Sequence, residues 1–197
     1  MSSQVRRPLL LVAAMVLIAV PVSAVARTTT TATIFHAFKP DGGPTLHTHT
    51  KSGSCFSGSS TIDRRDAWRC GVGNFLFDPC FSSTQAPGKV VCPNAQLNGG
   101  VEITLTKGLP HGAGNTHAPS LKDQPWDIQL TSGRHCVFGS GASNVAQGLR
   151  LNYFCGAGVK FGLWGFPRRK SEPWTIFSAP FSANHLHTRA AIRRVWM

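Results

Sequence analysis

Apolar positions along this chain recur mostly at a period of two, in short runs broken by glycine, proline and polar clusters. The clearest run is Val101-Glu102-Ile103-Thr104-Leu105-Thr106, in which Val101, Ile103 and Leu105 face one way. Residues 34–38, 46–51, 89–92, 126–130, 135–138, 149–155, 159–164, 174–177 and 190–196 read as further short strands. Pro40-Asp41-Gly42-Gly43-Pro44 and Asp78-Pro79-Cys80 read as turns, and Gly139-Ser140-Gly141 and Gly156-Ala157-Gly158 as hairpin turns. One helical segment is expected over 63–69, capped by Thr61 or Asp63 and carrying Ala67 and Trp68 on its apolar side. Residues 108–125 show no periodicity and form a long loop of the kind usually tied to function or mobility. The pattern predicts a mostly β chain: a single antiparallel β-sandwich or barrel-like domain with one or two short helices.

The first residues follow a different rule. Arg6 and Arg7 precede an uncharged apolar run over 8–20, Pro21 breaks it, and Ala24-Val25-Ala26 supplies the small-residue pattern that a signal peptidase accepts. Residues 1–26 are therefore expected to be an export signal. The alternative is an uncleaved membrane anchor, which is the one route by which this reading brings the chain to a membrane through its N-terminus. The polar run 27–33 is expected to be a disordered stalk, and 34–197 the folded β domain.

Export gives the cysteines their meaning. There are six of them, an even number, and an oxidising compartment turns them into staples. Six half-cystines allow 15 pairings. Local spacing favours Cys136 with Cys155 across a predicted hairpin and Cys80 with Cys92 across a turn-rich loop, which leaves Cys55 with Cys70. No two cysteines have the close spacing of a zinc site.

The segments around these cysteines form a series: Gly53-Ser54-Cys55, Asp66-Ala67-Trp68-Arg69-Cys70, Asp78-Pro79-Cys80-Phe81, Val90-Val91-Cys92, Gly133-Arg134-His135-Cys136 and Asn152-Tyr153-Phe154-Cys155. The series resembles a group of small exported actinobacterial proteins with six cysteines and no assigned function. The resemblance implies export, disulfides and one domain. It brings no catalytic residues and no cofactor.

Composition then narrows the chemistry. The 197 residues hold 20 Lys and Arg against 8 Asp and Glu, a formal net charge of +12, while 42% are hydrophobic. That hydrophobic content excludes a disordered polycation. Three basic clusters stand out: Arg64-Arg65, Arg168-Arg169-Lys170, and Arg189 with Arg193 and Arg194. Trp164, Trp174 and Trp196 lie near the latter two. Outside a cell such a surface attracts anionic envelope polymers or lipid head groups. The candidate binding residues are Arg168, Arg169, Lys170 and Arg193, with Trp164 and Trp174. Strand alternation predicts that Arg193 and Arg194 point to opposite faces. No recognition-helix motif supports sequence-specific nucleic-acid binding.

His47-x-His49 and His185-x-His187 are candidate metal pairs, because residues two apart on a strand project from the same face. A surface role for these histidines is the plainer reading. No G-x-S-x-G elbow occurs, and no cysteine is left as a nucleophile if all six pair. The expected function is an exported binding protein with a basic surface. A small secreted hydrolase or histidine-dependent metalloenzyme, and a secreted effector or toxin-like protein, are the alternatives.

Overall fold

The computed structural model describes residues 28–141, 143–156 and 160–197. The expected export signal over 1–26 lies outside the described residues, as does most of the Gly156-Ala157-Gly158 turn. Every described element is a strand: β1 (Thr31–Thr33), β2 (Thr48–Gly58), β3 (Ala67–Val72), β4 (Phe75–Ser82), β5 (Lys89–Pro93), β6 (Gly100–Leu105), β7 (Asp127–Leu130), β8 (His135–Phe138), β9 (Val145–Ala146), β10 (Leu149–Phe154), β11 (Phe161–Arg168), β12 (Thr175–Pro180) and β13 (Arg189–Trp196). The expected short helices are absent among these residues.

The helix expected over 63–69 is replaced by a turn running into β3. Trp68 and Cys70 point into one apolar cluster, while Ala67 joins another on the opposite side. That is strand alternation. The Cys70–Cys55 disulfide pins β3 directly opposite β2, so the weak helical preference of a short segment is overridden. Asp78-Pro79 is likewise not a chain reversal. β4 runs through it, and the ladder with β3 shifts register between Trp68 and Cys70, where a proline interrupts least.

The strands close on themselves twice. β2, β3, β4, β5 and β6 form a first barrel, sealed by a parallel pairing of β2 with β6. β2 serves both seams by pairing with β6 over Thr48 to Gly53 and with β3 from Ser54 onward. Gly53 sits at the changeover, where any Cβ would collide with the Gly71 carbonyl oxygen. In the second sheet the order β13-β12-β11-β10-β8-β7 returns to β13, closing a second barrel. Cys55, Trp68, Cys70, Cys80, Val90, Cys92, Val101 and Ile103 fill the first interior. Ile128, Cys136, Tyr153, Cys155, Leu163, Ile176, Ile192 and Val195 help to fill the second.

All three expected disulfides form: Cys55–Cys70, Cys80–Cys92 and Cys136–Cys155, with Cα separations of 3.8, 4.0 and 4.0 Å. Cys55 stands directly opposite Cys70 in the ladder. The register of the neighbouring residues places the other two pairs in the same way.

A third apolar cluster joins the barrels. Phe35, Ala37 and Phe38 from the N-terminal segment pack with Ala67, Phe81 and Val91 of the first barrel and Trp126 before β7. Residues 34–38, expected as a strand, serve here as extended apolar filling. The threonine run expected to be a stalk is also partly recruited. β1 pairs in parallel with β13, and Thr30 Oγ1 donates to the Ile192 carbonyl at 2.7 Å. β-branched residues suit this extended edge. The long 108–125 loop crosses between the barrels, and the Asn115 amide donates to the carbonyls of Ser59 and Ile62.

Candidate anion-binding surface

Charge on this molecule is distributed by what the fold does with its few acids. Asp66 is held by Arg64, and Glu102 is buried against Lys89 at 2.9 Å. Asp78 accepts from the hydroxyls of Ser59, Ser60 and Thr61 and from the Ser60 amide. Asp41, Asp123 and Glu172 each accept a backbone N–H. Asp63 pairs with His117 at 2.7 Å, and Asp127 is fully buried. Among the described residues, Arg64 and Lys89 are the only Lys or Arg that reach a carboxylate. The remaining cations are left to solvent, to aromatic rings or to carbonyls.

Cross-strand register gathers several of them. Arg168 of β11 pairs with Thr175 of β12, which pairs with Ala191 of β13. The Arg189 guanidinium reaches Thr175 Oγ1 at 3.4 Å and lies 3.9 Å from the Phe177 ring centroid. Arg193 stands two residues beyond Ala191, and Lys170 follows Arg168 in the connecting turn. Arg168, Lys170, Arg189 and Arg193 are all exposed. Two clusters that are separate in sequence therefore form one basic face.

Several expected members belong elsewhere. Trp164 is fully buried and packs with Leu151, Ala179 and Leu186 on the outer side of the second sheet, beneath a covering loop. Arg169 is not a free head group. Its guanidinium donates to the carbonyls of Leu121, Lys122 and Asp123 and lies 4.8 Å from the Trp174 centroid. Trp174 is half-buried under it, so both residues brace the turn. Arg193 and Arg194 are both exposed rather than opposed. The β13–β7 register shifts between Ile192 and Arg194, and the bulge inserts one residue and breaks the alternation.

Arg64 leaves the basic surface altogether, since it is fully buried. Its Nε and Nη2 donate to the two oxygens of Asp66 at 3.0 and 2.6 Å, and Nη1 donates to the Met197 oxygen at 2.5 Å. Nη2 also donates to the Phe35 carbonyl at 3.1 Å, and the guanidinium covers the Phe81 ring at 4.8 Å. One side chain ties the first barrel to the segment around Phe35 and to Met197.

The histidine pairs do not gather ligands. His47 and His49 are exposed beside Phe77, Cys92 and Asn94 at the mouth of the first barrel. His185 and His187 lie on a loop, not a strand, with their rings stacked at 5.8 Å. No group of three His, Cys, Asp or Glu able to hold a metal occurs among the described residues.

A different histidine has the more constrained setting. His135 Nδ1 lies 3.1 Å from Oδ1 of Asp127, and its ring packs at a tilt of 31° against Trp196, with centroids 5.4 Å apart. Asp127 Oδ2 is buried without a hydrogen-bond partner. Burial raises the Asp127 pKa from 3.8 to about 6, against the opposing pull of His135. The histidine opens on a groove of about 740 Å³ lined by Asn94, Gln96, Asn98 and Arg134. The groove offers amides and a guanidinium but no nucleophile, because its one cysteine, Cys155, is in a disulfide. Asp127 and His135 both fall on strands that the sequence predicts, joined by a short turn. Their hairpin register was the signal that would have brought them together.

Among the described residues no helix is long and apolar enough to cross a membrane. The three disulfides are compatible with an extracytoplasmic location. Comparison of the chain with protein-family models, curated proteins and solved structures gives no match.

Proposed function

We propose that this chain is an exported binding protein that holds an anionic envelope polymer on the basic face of β11, β12 and β13. One observation carries the reading: the fold ties up its carboxylates internally and leaves Arg168, Lys170, Arg189 and Arg193 exposed together. A field of one sign on a rigid sheet attracts polyanions, and the released counterions supply much of the binding free energy. The likeness of the cysteine motifs to exported actinobacterial proteins agrees with that setting. The hydrolase, metalloenzyme and effector readings have no comparable support. Among the described residues, the groove beside the best-placed histidine holds no nucleophile, and no group of three His, Cys, Asp or Glu gathers around either expected metal pair.

The test is binding of the exported protein to wall teichoic acid and to polyphosphate over a range of salt concentrations. Affinity should fall steeply as salt rises. The Arg168→Ser/Lys170→Ser/Arg193→Ser variant should bind more weakly, with the slope of log affinity against log salt shallower by roughly two, and should melt where the parent melts. Salt-independent affinity, or full binding by this variant, would overturn the proposal.

A further inference from the structure

The first barrel carries a second surface feature, apolar rather than basic. Phe75 is 75% exposed, Leu76 53% and Phe56 52%. They are neighbours. Gly71 of β3 pairs with Leu76 of β4 on one side and with Ser54 of β2 on the other. With no side chain at Gly71, the Phe56 ring comes within 3.9 Å of where its Cβ would stand. Phe75 follows at the tip of the β3–β4 hairpin, which turns through Gly73 at a positive φ of 55°. Single exposed apolar residues are ordinary, but here Leu76 and Phe56 flank Gly71 on one face and Phe75 extends from the tip beside them.

Cations lie on this hairpin and on the strands beside it. The Arg69 guanidinium lies 5.9 Å from the Phe56 centroid. Gly53 stands beside Val72, the partner of Phe75, and Lys51 is two residues before it. Thr106 donates to the Gly53 carbonyl from both its amide and its hydroxyl, which brings Lys107 to the same edge. Lys51 and Lys107 are exposed. The acid nearest in β4, Asp78, is occupied by Ser59, Ser60 and Thr61.

We infer that the β3–β4 hairpin seats on an anionic lipid bilayer, with Phe75 and Leu76 entering the acyl boundary and Lys51, Arg69 and Lys107 meeting the head groups. An apolar tip gains from a medium without water, and the cations beside it gain from negative phosphates. Stable surface attachment takes both signals together. A second copy of this chain would bring the same cations and repel it. A soluble polyanion would leave Phe75 in water. The site lies on a different face from the β11–β13 surface, so either reading survives the failure of the other.

The experiment is co-sedimentation of the exported protein with phosphatidylcholine vesicles, with and without phosphatidylglycerol. The protein should sediment with the phosphatidylglycerol vesicles and stay in solution with phosphatidylcholine alone. Phe75→Ser/Leu76→Ser should lower the partition at least tenfold while the protein still unfolds cooperatively, because Phe75 is 75% and Leu76 53% exposed in the free protein. Phe75→Trp, which keeps the apolar surface, should retain binding. Lys51→Ser/Lys107→Ser should also weaken it. Undiminished binding by the Phe75/Leu76 variant, or equal binding to both vesicle types, would overturn the inference. So would a parent dimer that the Phe75/Leu76 variant converts to monomer, which would make a second copy the occupant.

Discussion

Replacing Arg64 with Met removes a buried cation while keeping most of its apolar volume. In the folded protein that guanidinium makes four hydrogen bonds, two to Asp66 and one each to the Phe35 and Met197 oxygens. Its side chain is 1% exposed and that of Asp66 is 30% exposed. Removing it leaves a partly buried carboxylate and the Phe35 carbonyl without donors, while the Met197 oxygen keeps only the Phe35 N–H, and breaking a buried pair from one side costs about 3–5 kcal/mol. We expect Arg64→Met to lose about 4 kcal/mol, near the middle of that range, because Asp66 retains some water. Arg64→Lys keeps the charge but not the fork that serves Asp66 and both carbonyls, so it should lose about 2 kcal/mol. Arg64→Met/Asp66→Asn should be at least about 1 kcal/mol more stable than the sum of the single changes, since the orphaned charge is gone. Urea unfolding followed by tryptophan fluorescence measures all three, with Trp126 reporting from the same inter-barrel core. A loss below about 1 kcal/mol for Arg64→Met would refute the reasoning and return Arg64 to the solvated surface where its sequence neighbour Arg65 lies.

Two further outcomes follow from buried groups. Asp127 has its pKa raised by burial from 3.8 to about 6, so the folded state holds this proton more tightly than the unfolded chain. Its contribution to stability is full below about pH 3.8 and is lost as pH rises through about 6, a change worth about 3 kcal/mol. Asp127→Asn should therefore gain on the parent by up to that amount between pH 4 and pH 7 in matched urea titrations; a difference that does not vary with pH would reject this account. Cys136→Ala/Cys155→Ala opens a bridge with a sequence separation of 19 and should cost about 3 kcal/mol in the chain-entropy model. A loss under about 1 kcal/mol by the same measurement would mean that the β8–β10 ladder needs no staple.

Most strands were legible because alternation is local. The β8 bounds match the sequence reading, and β5, β6, β7, β10 and β13 differ from it by a residue or so at their ends. Errors gathered where long-range partners outrank neighbours in sequence. The 63–69 segment has a helix-like cap and apolar side, yet Cys55 and the barrel interior claim Trp68 and Cys70 for a strand. The polar threonines before residue 34 read as a stalk until β13 offers them an edge.

The candidate sites divide along the same line. Counting residues gave the excess of positive charge, and spacing gave the disulfide pairing, because each bridge joins sequence-near strands that face each other in an antiparallel ladder. Neither count nor spacing tells which cations are spent. Arg64 and Arg65 are adjacent in the chain, but only one is buried under Phe81 and bound to the Phe35 and Met197 oxygens. Arg169 is held by three carbonyls while Arg168 and Lys170 beside it are exposed. The sequence by itself determined a mostly β, disulfide-stapled, strongly basic chain, since these properties depend on composition and local period. Two closed sheets instead of a single sandwich or barrel, the strand in place of the expected helix, the basic face of β11–β13 and the apolar hairpin tip were decided only by the tertiary structure. Closure and solvent exposure depend on which distant strands meet, and no local pattern encodes that.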